Sequence, residues 1–320
     1  MILRVFLLAC VAFSWSITAN AQYPAKPIRM VVPFPAGGPT DIVGRTVSQK
    51  LSESLGQPVI IDNRGGAGGV LGTELVVKSP ADGYTLLVGT IAGLAVAMSL
   101  YPNHTYETLR DLAPITHGVT VTNIVVVHPS LPVRSVKELL ALARAKPGTL
   151  NYASSGSGTI TNLAGELFKS MAHVDIVHVP FRGGAPALTA LLSGEVSMSF
   201  ENSLIVVPHI KSGKVRGLAV TGAKRSRSQP DLPTVAEAGL PGYSASGWYG
   251  FVAPAATPKD IVARLSGEFN RILKLPDVIV RLSSQGAEPV GGTPAEFTAF
   301  IQSEIDKWGK LVRSAKMKAE

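Results

Sequence analysis

The groups best placed to do chemistry in this sequence are peptide groups in glycine-rich loops. Three segments share one design: PFPAGGPTD (33–41), ASSGSGT (153–159) and PFRGGAP (180–186). Each leaves a β-branched run, passes through small residues with glycines, and enters a helical pattern. Glycine lets backbone N–H groups approach a ligand with no Cβ in the way, and a helix N-terminus adds unpaired donors and the positive end of the helix dipole. Open α/β sheets place ligands at the carboxyl ends of strands, where these loops lie. A small anion, most simply a carboxylate, suits them. Each helix end contributes ~0.3–1 kcal/mol and each charge-assisted hydrogen bond ~1.5–3 kcal/mol. A handful reaches the ~8 kcal/mol of a micromolar complex once ordering costs are met. Any single loop is equally well read as a tight strand-to-helix turn; three of one design argue for a ligand. Thr40, Ser157 and Thr159 fall at cap positions, where a hydroxyl serves either the helix or a ligand, and Pro186 suits a first helical turn.

Side chains offer less. GSGTIT (156–161) keeps only the opening of a G-x-G-x-x-G fingerprint, and there is no phosphate-loop lysine, G-x-S-x-G elbow or S-x-x-K. The histidines, 104, 117, 128, 173, 178 and 209, are dispersed, and His173 and His178 lack H-E-x-x-H spacing. Neither a metal nor a cofactor is expected. Asp41 follows the first loop in a helix's opening turn, where the dipole alone accounts for an acid. Glu201 and Asn202 end the apolar run VSMSF; there they can meet a ligand hydroxyl, amine or bridging water, or cap the next element. Phe34 and Phe181 each follow a strand-ending proline and supply either a pocket wall or core. With no paired base, nucleophile or metal, an exported enzyme using Asp41 or Glu201 as general base is the weaker alternative to a binding protein.

These loops need an alternating frame. From residue 27 onward, short apolar runs alternate with amphipathic segments, the pattern of a doubly wound α/β protein with a largely parallel sheet. Strands are expected over 28–33, 59–63, 84–88, 123–128, 150–153, 175–180, 196–200, 215–220 and 246–252. Helices are expected over 41–55, 135–145, 258–273 and 294–314, after each of the glycine loops, and briefly over 234–239. That many strands exceeds a usual single sheet, so two lobes are expected, with crossovers near Thr122 and Ser246.

Composition agrees. The chain has 320 residues, 46% hydrophobic, 16% charged and 6% aromatic, with 32 glycines and 23 prolines in no fixed period. Disorder, coiled coil and collagen are excluded. Arg4, an apolar run to about Ile17 and Ala19-Asn20-Ala21 predict an export signal cleaved after Ala21, since the run is short of the ~20 residues a spanning helix needs. Cleavage removes the one cysteine, Cys10, and lowers the net charge from +8 to +7. The core then has to stand without disulfides, which this length allows. The basic clusters, Lys224/Arg225/Arg227 and the set from Lys307 to Lys318, carry no interleaved aromatics, so nucleic acid is not an expected partner.

YPAKPIRMVVPFPAGGPTD, VIIDNRGGAGGVLGTELVVKSPADGYTLLVGT, NYASSGSGT, FRGGAPALTALLSGEV, PHIKSGKVRGLAVT and DLPTVAEAGLPGY together resemble the extracytoplasmic solute receptors of tripartite tricarboxylate transporters, the Bug-type proteins. The resemblance implies a type II periplasmic binding fold: two α/β lobes joined by two crossing strands, here 22–122 with 247–320 and 123–246. It implies hinge closure on a small carboxylate, no catalysis, and delivery by a monomer to a membrane permease of a large and a small subunit. A receptor that presents its ligand to a membrane sensor has the same lobes. Carried over by position, the family's ligand contacts fall on Phe34, Ala36, Gly37, Gly38, Thr40 and Asp41, on Thr90 and Ile91, and on Ser154, Ser155, Gly156 and Thr159. They continue at Arg182, Gly183, Gly184, Ala185, Glu201 and Asn202. Three departures stand out. The family often has Pro-Gly-Ala-Gly-Gly where this chain has Gly65 to Gly69, Tyr-Lys-Gly-Gly where it has Phe181 to Gly184, and Asp where it has Glu201. The last two change charge reach and volume, so a relative's ligand does not transfer.

Overall fold

A computed structural model describes residues 23–319. The expected leader and its cleavage after Ala21 lie outside the described residues. Ten strands follow in chain order: β1 (Ile28–Val32), β2 (Val59–Asn63), β3 (Thr85–Thr90), β4 (Leu112–Val127), β5 (Asn151–Ser154), β6 (Val177–Pro180), β7 (Met198–Asn202), β8 (Arg216–Val220), β9 (Ser246–Pro254) and β10 (Ala287–Pro289). Their order is β2-β1-β3-β9-β4-β7-β5-β6, with β8 and β10 also on β4. β1 runs parallel to β2 and β3, and β5 parallel to β6 and β7, as strand-helix-strand repeats require.

β4 joins the two halves. Up to Thr122 it pairs antiparallel with β9, and from Asn123 onward with β7 and β8. The second connection is the entry into β9, where Ser246 pairs Thr122. Thr221 ties the two connections together. Its N–H donates to Asn123 O at 2.8 Å, its hydroxyl to Ala245 O at 2.6 Å, and its carbonyl accepts from Ala245 N at 2.8 Å.

Helices cover the sheet because their apolar stripes have nowhere else to go. Helix Pro39–Leu55 buries Val43, Val47, Leu51 and Leu55 against β1 and β3, each burial contributing ~1.5–3 kcal/mol, and stops where Gly56 turns left-handed at φ 67°. Helix Pro294–Ser314 opens on a Thr293/Glu296 capping box and buries Phe297, Ile301, Trp308 and Val312. Gly250 of β9 is required by this packing, since a Cβ there would lie 2.1 Å from Phe297 Cζ.

β10 and the helices Ser203–Lys211 and Pro276–Ser283 were not expected, the pairings of β4 and β9 are antiparallel in a sheet expected to be largely parallel, and two expected elements differ in extent or kind. β4 begins eleven residues before the expected strand, at Leu112, where Pro114, His117 and Gly118 and two register shifts break the alternation. Residues 234–239 form turns, anchored by a parallel bridge between Thr234 and Val220, instead of a helix.

Candidate functional site

The three glycine loops meet across the cleft between the halves. Gly183 has φ 119°, a conformation suited to glycine, and a Cβ there would stand 3.2 Å from Pro35 Cδ in the first loop. At Gly184 a Cβ would stand 3.0 Å from Pro39 Cδ. Tyr101 Oη donates to Ser157 O at 3.0 Å, and Asn202 Nδ2 to Tyr249 Oη at 3.2 Å.

Two chambers lie between the loops. The inner one, about 50 Å³, is walled by Gly38, Pro39 and Thr40, by Thr90, Ile91 and Ala92, by Thr159, Ile160 and Thr161, and by Gly184, Asn202, Trp248 and Tyr249. The outer one, about 820 Å³, lies among Pro35, Asn63, residues 65–68, Tyr101, 155–157 and 180–183. Phe34 and Ser155 border both.

Three helix N-termini reach the inner wall: Pro39–Leu55, Ile160–Ala172 and Gly184–Ser193, with N-caps Gly38, Thr159 and Gly183. None of the three carries a side-chain cap hydrogen bond. The Thr159 hydroxyl donates to Gly156 O at 2.6 Å instead. Helix Ser203–Lys211 is the contrast, since Asn202 Oδ1 accepts from Leu204 N at 3.1 Å. No charged side chain lines the inner chamber. Hydroxyls, an amide and first-turn N–H groups form its polar wall, and Phe34, Ile91, Ile160 and Trp248 its apolar one. Such a wall favours a negative ligand through oriented dipoles, with no fixed cation.

Of the residues carried over from the resemblance, Phe34, Gly38, Thr40, Thr90, Ile91, Ser155, Thr159, Gly184 and Asn202 line the inner chamber. Gly156, Arg182 and Gly183 line the outer one. Ala36, Gly37, Asp41, Ser154, Ala185 and Glu201 line neither. Asp41 works behind the wall. Its carboxylate accepts from Gly37 N at 3.0 Å, Arg45 Nε at 2.8 Å and Asn63 Nδ2 at 3.0 Å. Burial pushes its pKa up, but these hydrogen bonds outweigh it and hold the carboxyl below its ordinary range. Ser154 is fully buried, with Oγ 2.6 Å from His178 Nε2, and burial pushes that imidazole down to about 4. Glu201 is also fully buried and accepts from Asn202 N at 2.9 Å and Ser199 Oγ at 3.2 Å. Desolvation pushes its pKa up to about 7 against the pull of those two bonds.

Pro39, Ala92, Ile160, Thr161, Trp248 and Tyr249 complete the inner wall without having been singled out in the sequence. The aromatic pair sits on β9, and the usable signal is that a buried Trp or Tyr needs a partner for its polar tip. Trp248 Nε1 donates to Glu304 Oε2 at 2.9 Å, and Trp308 Nε1 donates to the same oxygen at 2.7 Å.

Comparisons with known proteins give the chain's family. Residues 43–317 match the model of the tripartite tricarboxylate transporter family receptor. The chain is 42% identical over 299 residues to Protein BugT of Bordetella pertussis, covering 92% of each chain. Among solved structures it is similar to R. palustris Rpa4515 with adipate, at a TM-score of 0.90 and 38% identity over 92% of this chain and 99% of that one. It is similar also to the periplasmic binding protein BugD, at a TM-score of 0.88 and 33% identity over 93% of this chain and 100% of that one.

Proposed function

The chain belongs to the tripartite tricarboxylate transporter receptor family, and from that premise we propose that it captures a small carboxylated molecule in the cleft and delivers it to a two-component membrane permease. It is a periplasmic solute-binding receptor of the Bug type and not an enzyme. The observation that carries the ligand class is the convergence of three uncapped helix N-termini on a chamber without a charged side chain. A carboxylate accepts from several such N–H groups at once and needs no cation to be held. The adipate held by the R. palustris relative supports the same class.

The site is assigned to the chamber-lining residues, with Asp41, Ser154 and Glu201 holding the loops from behind. The lobes are assigned as 22–122 with 247–320 and as 123–246. What supports this division is the change of partners along β4 between Thr122 and Asn123 and the Thr221 knot at the same level. Bending there opens the cleft, and ligand contacts from both lobes favour closure. Export with cleavage after Ala21 and a monomeric state belong to the same proposal.

Thermal unfolding against a panel of mono- and dicarboxylates tests it. A ligand at about 100 times its dissociation constant adds about 2.7 kcal/mol of stability. A saturable rise in Tm with one molecule bound per chain, and no turnover, is expected. Absence of any shift across the panel refutes the ligand class.

A further inference from the structure

We infer that His178 is a positioning residue for the ligand site: through Ser154 it fixes the second glycine loop, and with it the end of helix Ile160–Ala172 that meets the ligand; this rests on the carboxylate-receptor reading above. His178 lines neither chamber. It stands on β6 opposite Tyr152 of β5, and because side chains alternate along a strand, Tyr152, Ser154 and His178 share one face. The rings of His178 and Tyr152 stack with centroids 5.0 Å apart.

The direction of the hydrogen bonds around His178 follows from groups that can only donate or only accept. Gly158 N donates to Asn162 Oδ1 at 3.0 Å, so the other end of that amide, Nδ2, faces Tyr152 Oη at 3.1 Å and His178 Nε2 at 3.4 Å. Tyr152 Oη accepts there and donates to Glu166 Oε1 at 2.7 Å, which Lys169 Nζ also reaches at 3.0 Å. With a donor amide in front of it, Nε2 is the unprotonated nitrogen of the ring. The Ser154 hydroxyl, 2.6 Å away, therefore donates to it, and Ser154 Oγ accepts in turn from Gly156 N at 3.1 Å. Burial agrees with this: it pushes the imidazole down to about 4, with Glu166 pulling it up and Lys169 pushing it further down, so the ring is neutral near pH 7. His178 and Asn162 thus hold the N–H groups of Gly156 and Gly158, whose φ values of 119° and 77° suit glycine. Ser155 N donates to Thr161 Oγ1 at 2.8 Å and Thr159 N to Gly156 O at 3.2 Å. With these loop donors satisfied within the lobe, the first-turn N–H groups of the helix remain for the ligand.

Nitrogen NMR of the wild type, and titration calorimetry with adipate and the other carboxylates of the panel, test this. The variants are His178→Phe, which keeps a ring and loses the acceptor, His178→Gln, whose carbonyl oxygen reaches the place of Nε2, Ser154→Ala, and His178→Phe with Ser154→Ala. The wild-type His178 Nε2 resonance should be that of an unprotonated nitrogen from about pH 8 to about pH 5.5. His178→Phe and Ser154→Ala should each weaken the tightest-binding carboxylate at least about tenfold, the double variant no more than either alone, and His178→Gln should stay within about threefold of wild type. A proton on Nε2, losses that add in the double variant, wild-type affinity in His178→Phe or Ser154→Ala, or full loss in His178→Gln overturns the role of His178 and leaves the carboxylate receptor standing. If His178→Phe does not fold, the Nε2 resonance, Ser154→Ala and His178→Gln decide. Failure of the whole panel to bind the wild type removes the receptor reading and this inference with it.

Discussion

Glu201 is a carboxyl group sealed behind the inner chamber with no cation among the described residues bonded to it, and its replacement by glutamine gives a signed, measurable consequence. It is fully buried on β7, and its two hydrogen bonds come from neutral donors, Asn202 N and Ser199 Oγ. Desolvation raises its pKa from 4.5 to about 7, so in the native state it keeps its proton over a range in which the unfolded chain has lost it. Between those two values the native state binds more protons, so stability falls as pH rises, and above about 7 the loss is complete. At 1.36 kcal/mol per unit, the ionised form costs about 3 kcal/mol. Glutamine matches the protonated carboxyl in shape, accepts from Asn202 N, and does not ionise. In urea unfolding at about pH 4.5 and about pH 8, the stability of Glu201→Gln relative to wild type should therefore improve by about 3 kcal/mol between the two. Other titrating groups cancel in that difference. Wild-type and variant curves that stay parallel across the range refute the reasoning and mean that water or a structural shift already compensates the charge.

Two further substitutions separate binding from folding. At Gly38 a Cβ would have Pro35 O as its one neighbour, at 3.6 Å, so Gly38→Val should leave urea unfolding close to wild type; its methyls enter the inner chamber, and carboxylate affinity measured by titration should fall by at least about tenfold. Gly250→Ala should do the reverse, since its Cβ would lie 2.1 Å from Phe297 Cζ, costing about 1–3 kcal/mol in urea unfolding, a loss that Phe297→Leu made in the same chain should partly restore.

Much of the frame was legible because it rests on local rules. The three glycine loops, the helix from residue 39 to Gly56 and the long C-terminal helix follow from periodicity, turn residues and caps that act within a few positions. What the sequence hid depends on contacts distant along the chain. The first half of β4 alternates poorly because bulges interrupt it, and it is held as a strand by β9, more than 120 residues on, and by β10. Trp248 and Tyr249 line the inner chamber for the same reason: β9 reaches the cleft by pairing with β3 and β4, and nothing within SGWYGFV states that.

The acids mark the boundary most clearly. Residue type and position made Asp41 and Glu201 plausible ligand contacts, yet a carboxylate on the wall of an anion site would oppose its own ligand. In the structure both side chains sit one layer back, where their acceptor oxygens order the donors in front of them. Asp41 draws in Gly37 N, Arg45 and Asn63, fixing the first loop, and Glu201 accepts from the backbone of Asn202, whose side chain bridges to Tyr249. Asp41 has Arg45 to share its charge, and Glu201 has only neutral donors, so their pKa values move in opposite directions although both are buried. Spacing along the chain puts an acid near a loop; whether it faces the ligand or the loop's own N–H groups is decided by which donors the fold brings within about 3 Å of it.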